Sequence, residues 1–419
     1  MREEIVSIGA LGGAGDGVAD ISGKTVHVSF VLPGERAKIS VQGQRVKLLE
    51  ILEASANRGK PQCMHFGLDG DRCGGCALQH LPTADYTSWK LEKVHKSLSQ
   101  AGLTEVEVLP LKTSPLESRR RASFAIERQA GEIVCGFHER QTHRLIGLKE
   151  CLILLPALLD GRKHIVKVLR SLFEAHPGLK LSAHVTVVDN GLDADISGLL
   201  HDEDLSLQER QHLAALLPDT PIKRLTINGD VFWQGEQPVI SLAKTPVPLP
   251  PRSFLQATKQ GEVGLQEIVR SGTRGAKKIA DLFSGCGTFT FAALAEGASV
   301  HAVESDASAI QAINQARKLS GQPVTTEMRD LFHQPLMPLE LNTYDAVIID
   351  PPRAGAETQA QQLARSKVQK IISVSCNPKT FARDAAILVG GGYGLEAVQP
   401  VDQFLFSPHI EVAGIFTKG

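Results

Sequence analysis

Short apolar segments alternate with longer amphipathic segments from Lys278 to the end of the chain. The segments KIADLF, SVHAVE, DAVIID and KIISVS have the length and composition of buried strands, whereas ASAIQAINQARKL has helical spacing. Strands and helices that alternate in this way predict a doubly wound parallel sheet. We therefore expect an α/β domain over residues 251–419.

The two preceding regions have different patterns. Residues 1–54 alternate apolar and polar positions between Gly-rich and Pro-Gly turns, as in TVHVSFV and RAKISV, which predicts a small antiparallel β-barrel. Residues 55–250 mix helical and strand-like segments around a cysteine-rich loop, so we expect a mixed α+β central domain. The Pro-rich segment KTPVPLPPRSF is interpreted as the linker that ends it.

Composition narrows the functional classes. No apolar run reaches the roughly 18 residues of a membrane span, and the N-terminal segment MREEIVSIGALGGAGDG lacks the continuous apolar region of a signal peptide. Seven unevenly spaced cysteines are more typical of thiols used for metal binding or chemistry than of a disulfide framework, so we expect a cytoplasmic protein. The net charge of −1 means that any nucleic-acid contact needs a local basic surface. No obligate protein partner is evident.

The segment ADLFSGCGTFTFAAL predicts a strand, a turn with Gly285 and Gly287, and a helix. Such glycines let a ligand approach the backbone at the edge where open α/β sheets bind cofactors. Glu304 ends the next strand and is placed to accept hydrogen bonds from a ribose. The third glycine of a dinucleotide fingerprint is absent, which favours S-adenosylmethionine over NAD. The alternative is an ordinary tight turn followed by a surface glutamate.

The segment YDAVIIDPPRAG places Asp350 at the same predicted sheet edge. Two prolines make the following turn stiff, and Arg353 lies just beyond them. An acid followed by Pro-Pro at the fourth strand is typical of enzymes that methylate planar nitrogen heterocycles. The alternative is an ordinary exposed loop.

The segment KIISVSCNPKTFARD places Cys376 at the end of the next strand. An isolated cysteine is more often a core residue, but this one shares its edge with the glycine turn and Asp350. Carbon 5 of a pyrimidine accepts a methyl group once a thiolate has added to carbon 6, and a base must then remove the carbon 5 proton. Glu411 in SPHIEVAGIF is the candidate base, with His409 as the rival. For both residues the alternative is a solvated strand end.

The C-terminal third resembles the RNA uracil-5 methyltransferase family in its Asp-Pro-Pro-Arg turn, Ser-Cys-Asn-Pro loop and terminal His-x-Glu, all in order. The resemblance implies a Rossmann-like S-adenosylmethionine methyltransferase domain, with Cys376 as nucleophile and Glu411 as base. The family usually has Asn where this chain has Thr288 and Thr258. The positions that match cofactor contacts in the family are Gln256, Phe283, Thr288, Glu304, Asp330 and Asp350.

Four cysteines form a second candidate site. Cys63, Cys73 and Cys76 lie in PQCMHFGLDGDRCGGCALQHL and Cys151 lies far downstream, a set that suits zinc or an iron–sulfur cluster. The ribosomal RNA branch of the family is similar, which implies a [4Fe-4S] cluster on these thiols. The alternative is four core thiols without metal. Cys135 and Cys286 are assigned no role.

The segment GDGVADISGKTVHVSFVLPGE resembles the TRAM domain, an OB-like RNA-binding module. By the resemblance, transfer-RNA enzymes of the family lack both this barrel and the cluster, so the expected partner is RNA and specifically 23S rRNA. The basic stretch Arg119 to Arg121 supplies the expected phosphate contacts, unless it is only a solvated edge. The competing hypotheses are 5-methylcytosine formation, transfer-RNA uridine methylation, and a non-catalytic, metal-stapled RNA-binding protein.

Overall fold

The computed structural model describes residues 2–199, 205–294 and 297–419. The N-terminal region contains two antiparallel three-stranded sheets, in the orders β1-β5-β6 and β2-β3-β4. Val28, Val31 and Ile39 are fully buried between them. The strands are β1 (Arg2–Ser7), β2 (Ala10–Leu11), β3 (Gly17–Ile21), β4 (Lys24–Val28), β5 (Arg36–Gln42) and β6 (Arg45–Glu53).

The cysteine-rich loop follows, and the chain then forms a long helix and two very short strands. These are α1 (Thr83–Gln100), β7 (Glu107–Val108) and β8 (Lys112–Thr113). Helix α1 packs Val94 and Leu98 into the core of the C-terminal domain, and β7 and β8 pair with that domain's strand Tyr393–Asp402. This part of the segment 55–250 therefore packs with the C-terminal sheet.

A seven-stranded sheet in the order β11-β10-β9-β12-β13-β14-β15 forms the central region. Its helices α2 (Pro156–Ala175) and α3 (Leu207–Leu216) cover one face, where Phe124, Leu172 and Phe173 are fully buried. The strands are β9 (Arg121–Gln129), β10 (Glu132–His138), β11 (Leu145–Gly147), β12 (Lys180–Val188), β13 (Gly191–Ser197), β14 (Ile222–Ile227) and β15 (Asp230–Gln234).

The Pro-rich segment between the two regions is folded. It contributes to a hairpin of β16 (Val239–Leu242) and β17 (Thr245–Pro248), whose apolar side chains pack against the C-terminal domain. The interpretation of KTPVPLPPRSF as a linker is therefore wrong for its first half. Pro246 and Pro248 fit a strand because a two-stranded hairpin has edges that need no N–H donor.

The C-terminal domain is built on the largest sheet, in the order β20-β19-β18-β21-β22-β24-β23-β7. Strands β18 to β22 are parallel, as the alternation of segments predicts, whereas β24 is antiparallel to both neighbours. The strands are β18 (Lys278–Leu282), β19 (Ser299–Glu304), β20 (Val324–Met328), β21 (Ala346–Ile349), β22 (Lys370–Ser375), β23 (Tyr393–Asp402) and β24 (Glu411–Lys418).

Helices cover both faces of this sheet and leave its carboxyl edge open. They are α4 (Lys259–Gly272), α5 (Thr290–Ala293), α6 (Ala307–Ser320), α7 (Pro338–Leu341), α8 (Glu357–Ala364) and α9 (Pro378–Gly390). The chain order reverses between β19 and β21 on either side of β18, which makes this edge the expected ligand crevice. Among the described helices, none combines the length and apolarity that a membrane crossing requires.

Candidate active site

Four predicted site residues meet at the carboxyl edge of the C-terminal sheet. Phe283 follows β18, Glu304 ends β19, Asp350 follows β21 and Cys376 follows β22. Because these strands are parallel neighbours, their ends lie along one line. The four residues are therefore close in space although they are far apart in the sequence.

The glycine turn after β18 is held in a conformation that most residues avoid. Phe283, Gly285 and Gly287 all have positive φ, and a Cβ at Gly287 would lie 2.6 Å from the Phe291 ring. The Gly285 N–H donates to the Glu304 carboxylate at 3.0 Å, which ties the turn to β19. A positive φ at a bulky phenylalanine is strained, and such strain is typical of functional turns.

Two buried polar groups beneath this turn were not predicted. Asp281 accepts a hydrogen bond from the Thr290 hydroxyl at 2.6 Å through Oδ2, but its Oδ1 has no partner, and neither has the Ser284 hydroxyl. Burial raises the pKa of Asp281 to about 7. The sequence signal was available, since Asp281 is an acid among the apolar residues that follow Lys278 in the strand KIADL.

Cys376 lies between the end of β22 and the start of α9. Asn377 caps that helix by accepting from the Lys379 N–H, and Pro378 occupies its first turn. The Asn377 side chain also donates to the Arg353 carbonyl at 3.3 Å, so the cysteine loop is tied to the Asp-Pro-Pro-Arg turn. The helix cap therefore fixes the half-buried thiol at the sheet edge.

Glu411 reaches the same edge because β24 runs in the opposite direction. Ser375 pairs with Val412, so the first residue of β24 lies beside the last residues of β22. Glu411 is only 2% exposed, and Gln403 donates to its carboxylate at 3.1 Å. Burial raises the pKa of Glu411 to about 7, with the Gln403 hydrogen bond acting in the opposite direction.

The charges at this edge influence one another. Burial, followed by the charges of Glu411 and Asp350, raises the pKa of Cys376 to about 11, while the Arg353 guanidinium lowers it. Burial and the charge of Glu411 raise the pKa of Asp350 well above its usual value. The thiol and these carboxyl groups are therefore close neighbours, and a positive charge placed among them would be stabilised.

The remaining predicted cofactor contacts differ in burial. Gln256 is buried and accepts from Gln403, which links it to Glu411, and the Thr288 carbonyl accepts from Gln266. Asp330 is exposed beyond β20, where it binds the Phe332 N–H at 2.9 Å and the His333 ring at 2.8 Å.

His409 lies on the loop before Glu411, and its ring packs edge-on against Phe404. The residue is exposed, whereas Glu411 is buried. Partial burial of its ring, followed by the positive charges of Arg353, Lys90, Lys93 and Arg119, lowers the pKa of His409. The rival base thus lies on the same loop, in a more solvated position.

The arginine stretch does not form one basic surface. Arg120 is buried and pairs with Glu262 at 2.6 Å, so its expected role as a phosphate contact is wrong. The pair is retained inside because either charge alone would be costly there. Arg119 and Arg121 stay partly exposed beside the rings of Phe404 and Phe254, respectively.

The cysteine-rich loop and Cys151 line one cavity of about 290 Å³. Burial, followed by smaller contributions from the charges of neighbouring cysteines, raises the pKa of Cys73 to about 11 and of Cys76 to about 12. Within residues 2–199, 205–294 and 297–419, however, no three potential ligands converge closely enough for a single metal ion. The cavity thus gathers the four predicted thiols without forming a mononuclear site.

A Rossmann-like sheet with a glycine turn, an Asp-Pro-Pro-Arg turn and an edge cysteine defines a methyltransferase domain. The family model described as tRNA (Uracil-5-)-methyltransferase matches residues 266–418. An RNA methyltransferase of Brucella suis biovar 1, itself described as uncharacterized, is 42% identical over 418 residues, which cover 99% of this chain and 98% of the relative. The 23S rRNA (uracil(1939)-C(5))-methyltransferase RlmD of Pectobacterium atrosepticum is 31% identical over 438 residues, covering 98% and 93% of the two chains.

The chain therefore belongs to the RNA (uracil-5-)-methyltransferase family, and it is an enzyme. This confirms the enzyme prediction and the family resemblance. It excludes the non-catalytic RNA-binding hypothesis, and a uracil-5 family does not support 5-methylcytosine formation.

The fold prediction is confirmed by a solved structure. The crystal structure of Pyrococcus abyssi tRNA (uracil-54, C5)-methyltransferase in complex with S-adenosyl-L-homocysteine matches with a TM-score of 0.75 and 22% identity. The match covers 98% of this chain and 99% of that one. That protein is a transfer-RNA enzyme, and its fold matches this chain over nearly its whole length, including the N-terminal region. The presence of an N-terminal region therefore does not distinguish ribosomal-RNA enzymes from transfer-RNA enzymes, contrary to the expectation from the sequence.

The charges around Cys376 predict opposite effects of two substitutions on thiol reactivity. At pH 8 Glu411→Gln should speed alkylation of Cys376 by iodoacetamide, since it removes a negative charge that raises the thiol pKa. Arg353→Gln should slow it by removing a positive charge that lowers the pKa. Peptide-resolved mass spectrometry separates Cys376 from the other six cysteines. Equal rates in both variants and the wild type would show that neither charge reaches the thiol.

Proposed function

We propose that this enzyme transfers a methyl group from S-adenosylmethionine to carbon 5 of a uridine in RNA, with Cys376 as nucleophile and Glu411 as base. The observation that carries the proposal is that Cys376 directly follows β22 and Glu411 begins β24, two adjacent strands that run in opposite directions, so both side chains lie at one sheet edge. Cys376 alone would be compatible with a packing role. A buried carboxyl group beside it supplies the second function that the chemistry needs.

In the first step the Cys376 sulfur attacks carbon 6 of the uracil ring, and the electron pair of the 5,6 double bond moves toward carbon 5 and the carbonyl at carbon 4. The thiol must lose its proton first, because the thiolate is the nucleophile. The positive charge of Arg353 favours this ionisation, whereas the charges of Glu411 and Asp350 oppose it. A cationic ligand among these carboxylates would shift the balance toward the thiolate.

In the last step Glu411 removes the proton from carbon 5. The electrons of that C–H bond re-form the 5,6 double bond, the C6–S bond breaks, and Cys376 leaves as a thiolate. A carboxyl group with a pKa of about 7 is half ionised at neutral pH and is a stronger base than an ordinary glutamate. The base form is present above this pKa, so proton removal should fail as the pH falls below about 7.

The residues at the edge fit S-adenosylmethionine, which supplies an electrophilic methyl group and carries positive charge. Asp281 and Ser284 each have an unpaired buried oxygen beneath the glycine turn, and the carboxyl groups of Asp350 and Glu411 lie nearby. Glu304 Oε1 already accepts from the Ser305 N–H and hydroxyl and from the Asp306 N–H, so a ribose hydroxyl would bind Oε2, which among the described residues accepts only from the Gly285 N–H. A cavity of about 210 Å³ that is lined by Phe283 and Phe332 would take the adenine. Gln256, Thr288 and Asp330 stay cofactor contacts proposed from the family pattern.

The two proposed roles predict that substitutions fail at different steps. Cys376→Ala should form neither product nor covalent adduct, since nothing adds to carbon 6. Glu411→Gln should add and methylate but not eliminate, so kcat should fall about 10²–10⁴-fold while a denaturant-resistant, methylated RNA adduct accumulates. Denaturing gels with RNA labelled in the methyl group measure both outcomes.

His409→Ala is the control for this experiment. It should turn over without accumulating the adduct, because His409 is the more solvated of the two candidate bases. If His409→Ala accumulated the adduct while Glu411→Gln turned over normally, the base would be His409. If Cys376→Ala formed the adduct as well as the wild type does, the thiol mechanism would be wrong.

We further propose that the RNA is 23S rRNA and that residues 1–54 form a TRAM-like barrel that binds it. The support is the 31% identity to RlmD over nearly the whole chain. Residues 55–250 would form the central RNA-binding region and residues 251–419 the methyltransferase domain. Arg119 and Arg121 remain the phosphate contacts proposed from the basic stretch.

The substrate proposal predicts which RNA loses its modification when the gene is deleted. Mass-spectrometric mapping of 5-methyluridine should find one 23S rRNA position unmethylated, with transfer RNA unchanged. Complementation with the wild type should restore the modification, and Cys376→Ala should not. Loss from transfer RNA instead would assign the enzyme to the class of the Pyrococcus abyssi protein.

We propose that Cys63, Cys73, Cys76 and Cys151 hold a [4Fe-4S] cluster, which would staple the central region. The donor set fits, because four thiols line one cavity whose surroundings disfavour free thiolates. His65 supports the loop by accepting from the Lys149 N–H at 3.0 Å.

The cluster proposal predicts that protein purified without oxygen is brown and contains about four irons per chain. Cys73→Ala should lose both colour and iron. Cys135→Ala is the matched control, because Cys135 is buried in the central core away from the cavity lining, and it should retain iron. Stoichiometric zinc in a colourless protein would contradict the proposal.

A further inference from the structure

The loop of residues 403–410 connects β23 to β24 and leads directly into Glu411. It begins with Gln403, which donates to the Glu411 carboxylate, and it contains Phe406 with φ at +59°. A phenylalanine adopts this conformation only where its surroundings impose it. The 403–410 loop is therefore held in place by contacts outside itself.

Helix α1 supplies the side chains that hold the loop. The Tyr86 hydroxyl donates to the Asp402 carboxylate at 2.5 Å and accepts from the Phe406 N–H at 3.0 Å. The Lys90 ammonium donates to Asp402 at 3.0 Å and to the His409 carbonyl. Helix α1 thus forms hydrogen bonds with the residue before the loop, with Phe406 in its middle and with His409 near its end.

The loop is also bound to the cysteine-rich segment. The N–H groups of Ala77 and Leu78, which directly follow Cys76, donate to the Phe406 carbonyl at 2.8 and 3.2 Å. Both backbone groups of Phe406 are therefore engaged, the N–H by Tyr86 and the carbonyl by the cysteine segment. A small cluster of Leu78, Tyr86 and Phe406 packs around these bonds.

Lys90 and Asp402 have no exposed surface in this arrangement. A buried ion pair adds little to stability compared with apolar residues of similar volume, because the desolvation of both charges offsets their attraction. Lys90 makes one contact that an apolar residue could not make, which is its bond to the His409 carbonyl, two residues before Glu411. The pair therefore fits a role in geometry rather than in stability.

We propose that Tyr86 and Lys90 are positioning residues for the methyl transfer, which hold the 403–410 loop so that Glu411 reaches the carbon 5 proton. This inference rests on the proposed function of Glu411 as the base. If the loop shifts, Cys376 still adds to carbon 6 and the methyl group is still transferred. Only the final step slows, in which the proton passes to Glu411 and the C6–S bond breaks to release Cys376.

The test compares Tyr86→Phe, Lys90→Met and the double variant Lys90→Met/Asp402→Asn with Lys96→Met. Lys96 is exposed on the same helix, so its substitution makes the same chemical change without touching the loop. The first three should lower kcat by about tenfold or more, leave KM for RNA and cofactor within about threefold, and accumulate the denaturant-resistant adduct. Lys96→Met should match the wild type.

The double variant separates positioning from stability. It leaves no unpaired buried charge, so the urea unfolding midpoint should recover relative to Lys90→Met, but the bond to the His409 carbonyl is still missing. If kcat recovered together with stability and no adduct accumulated, Lys90 would be a structural residue and the inference would be wrong. Tyr86→Phe removes only a hydroxyl and keeps the test informative if Lys90→Met does not fold.

Glu411→Gln is measured in the same experiment to separate the two proposals. If Glu411→Gln forms no adduct, the proposed function fails. If it accumulates the adduct while Tyr86→Phe and Lys90→Met behave like Lys96→Met, the proposed function stands and the positioning role fails.

Discussion

The site depends on one antiparallel strand inserted into an otherwise parallel set. Parallel strands bring only their carboxyl ends to a common edge, whereas β24 runs the other way and brings its first residue there. Glu411 thereby comes to lie beside Cys376, although thirty-four residues of chain separate them. Strand direction alone brings Glu411 to the crevice. The loop before Glu411 is then fixed by helix α1, and the loop that carries Cys376 is fixed by the cap of α9.

Burial then sets the electrostatic character of this edge. Asp281, Asp350 and Glu411 all have raised pKa values, chiefly because water is excluded from them. The Glu411 charge makes ionisation of Asp350 harder, and the charges of Glu411 and Asp350 make ionisation of the Cys376 thiol harder. An empty crevice therefore favours neutral, less reactive groups, and a cationic ligand would favour the charged forms. In the proposed mechanism, the positive charge of the cofactor would therefore favour the ionised forms of Cys376 and of the carboxyl groups around it.

The sequence predicted what depends on local pattern and strand order. The alternation of segments placed Glu304, Asp350 and Cys376 at one edge, because strand ends in a parallel sheet need no knowledge of side-chain packing. It missed the burial of Arg120, since a partner such as Glu262 lies 142 residues away. Gln403 was missed for the same reason, because nothing in its local sequence distinguishes it from a surface glutamine. The roles of the site residues and the domain boundaries stay predictions.

Strands β7 and β8 lie at the outer side of β23, where they add two short segments from the first third of the chain to the C-terminal sheet. A fragment that began at residue 251 would keep Cys376 and Glu411 but would leave β23 as a bare edge, with unpaired backbone groups open to association with other chains. The proposed methyltransferase domain, residues 251–419, is thus not self-sufficient in structure. A chimeric protein that carries this domain would therefore also need to include residues 83–113.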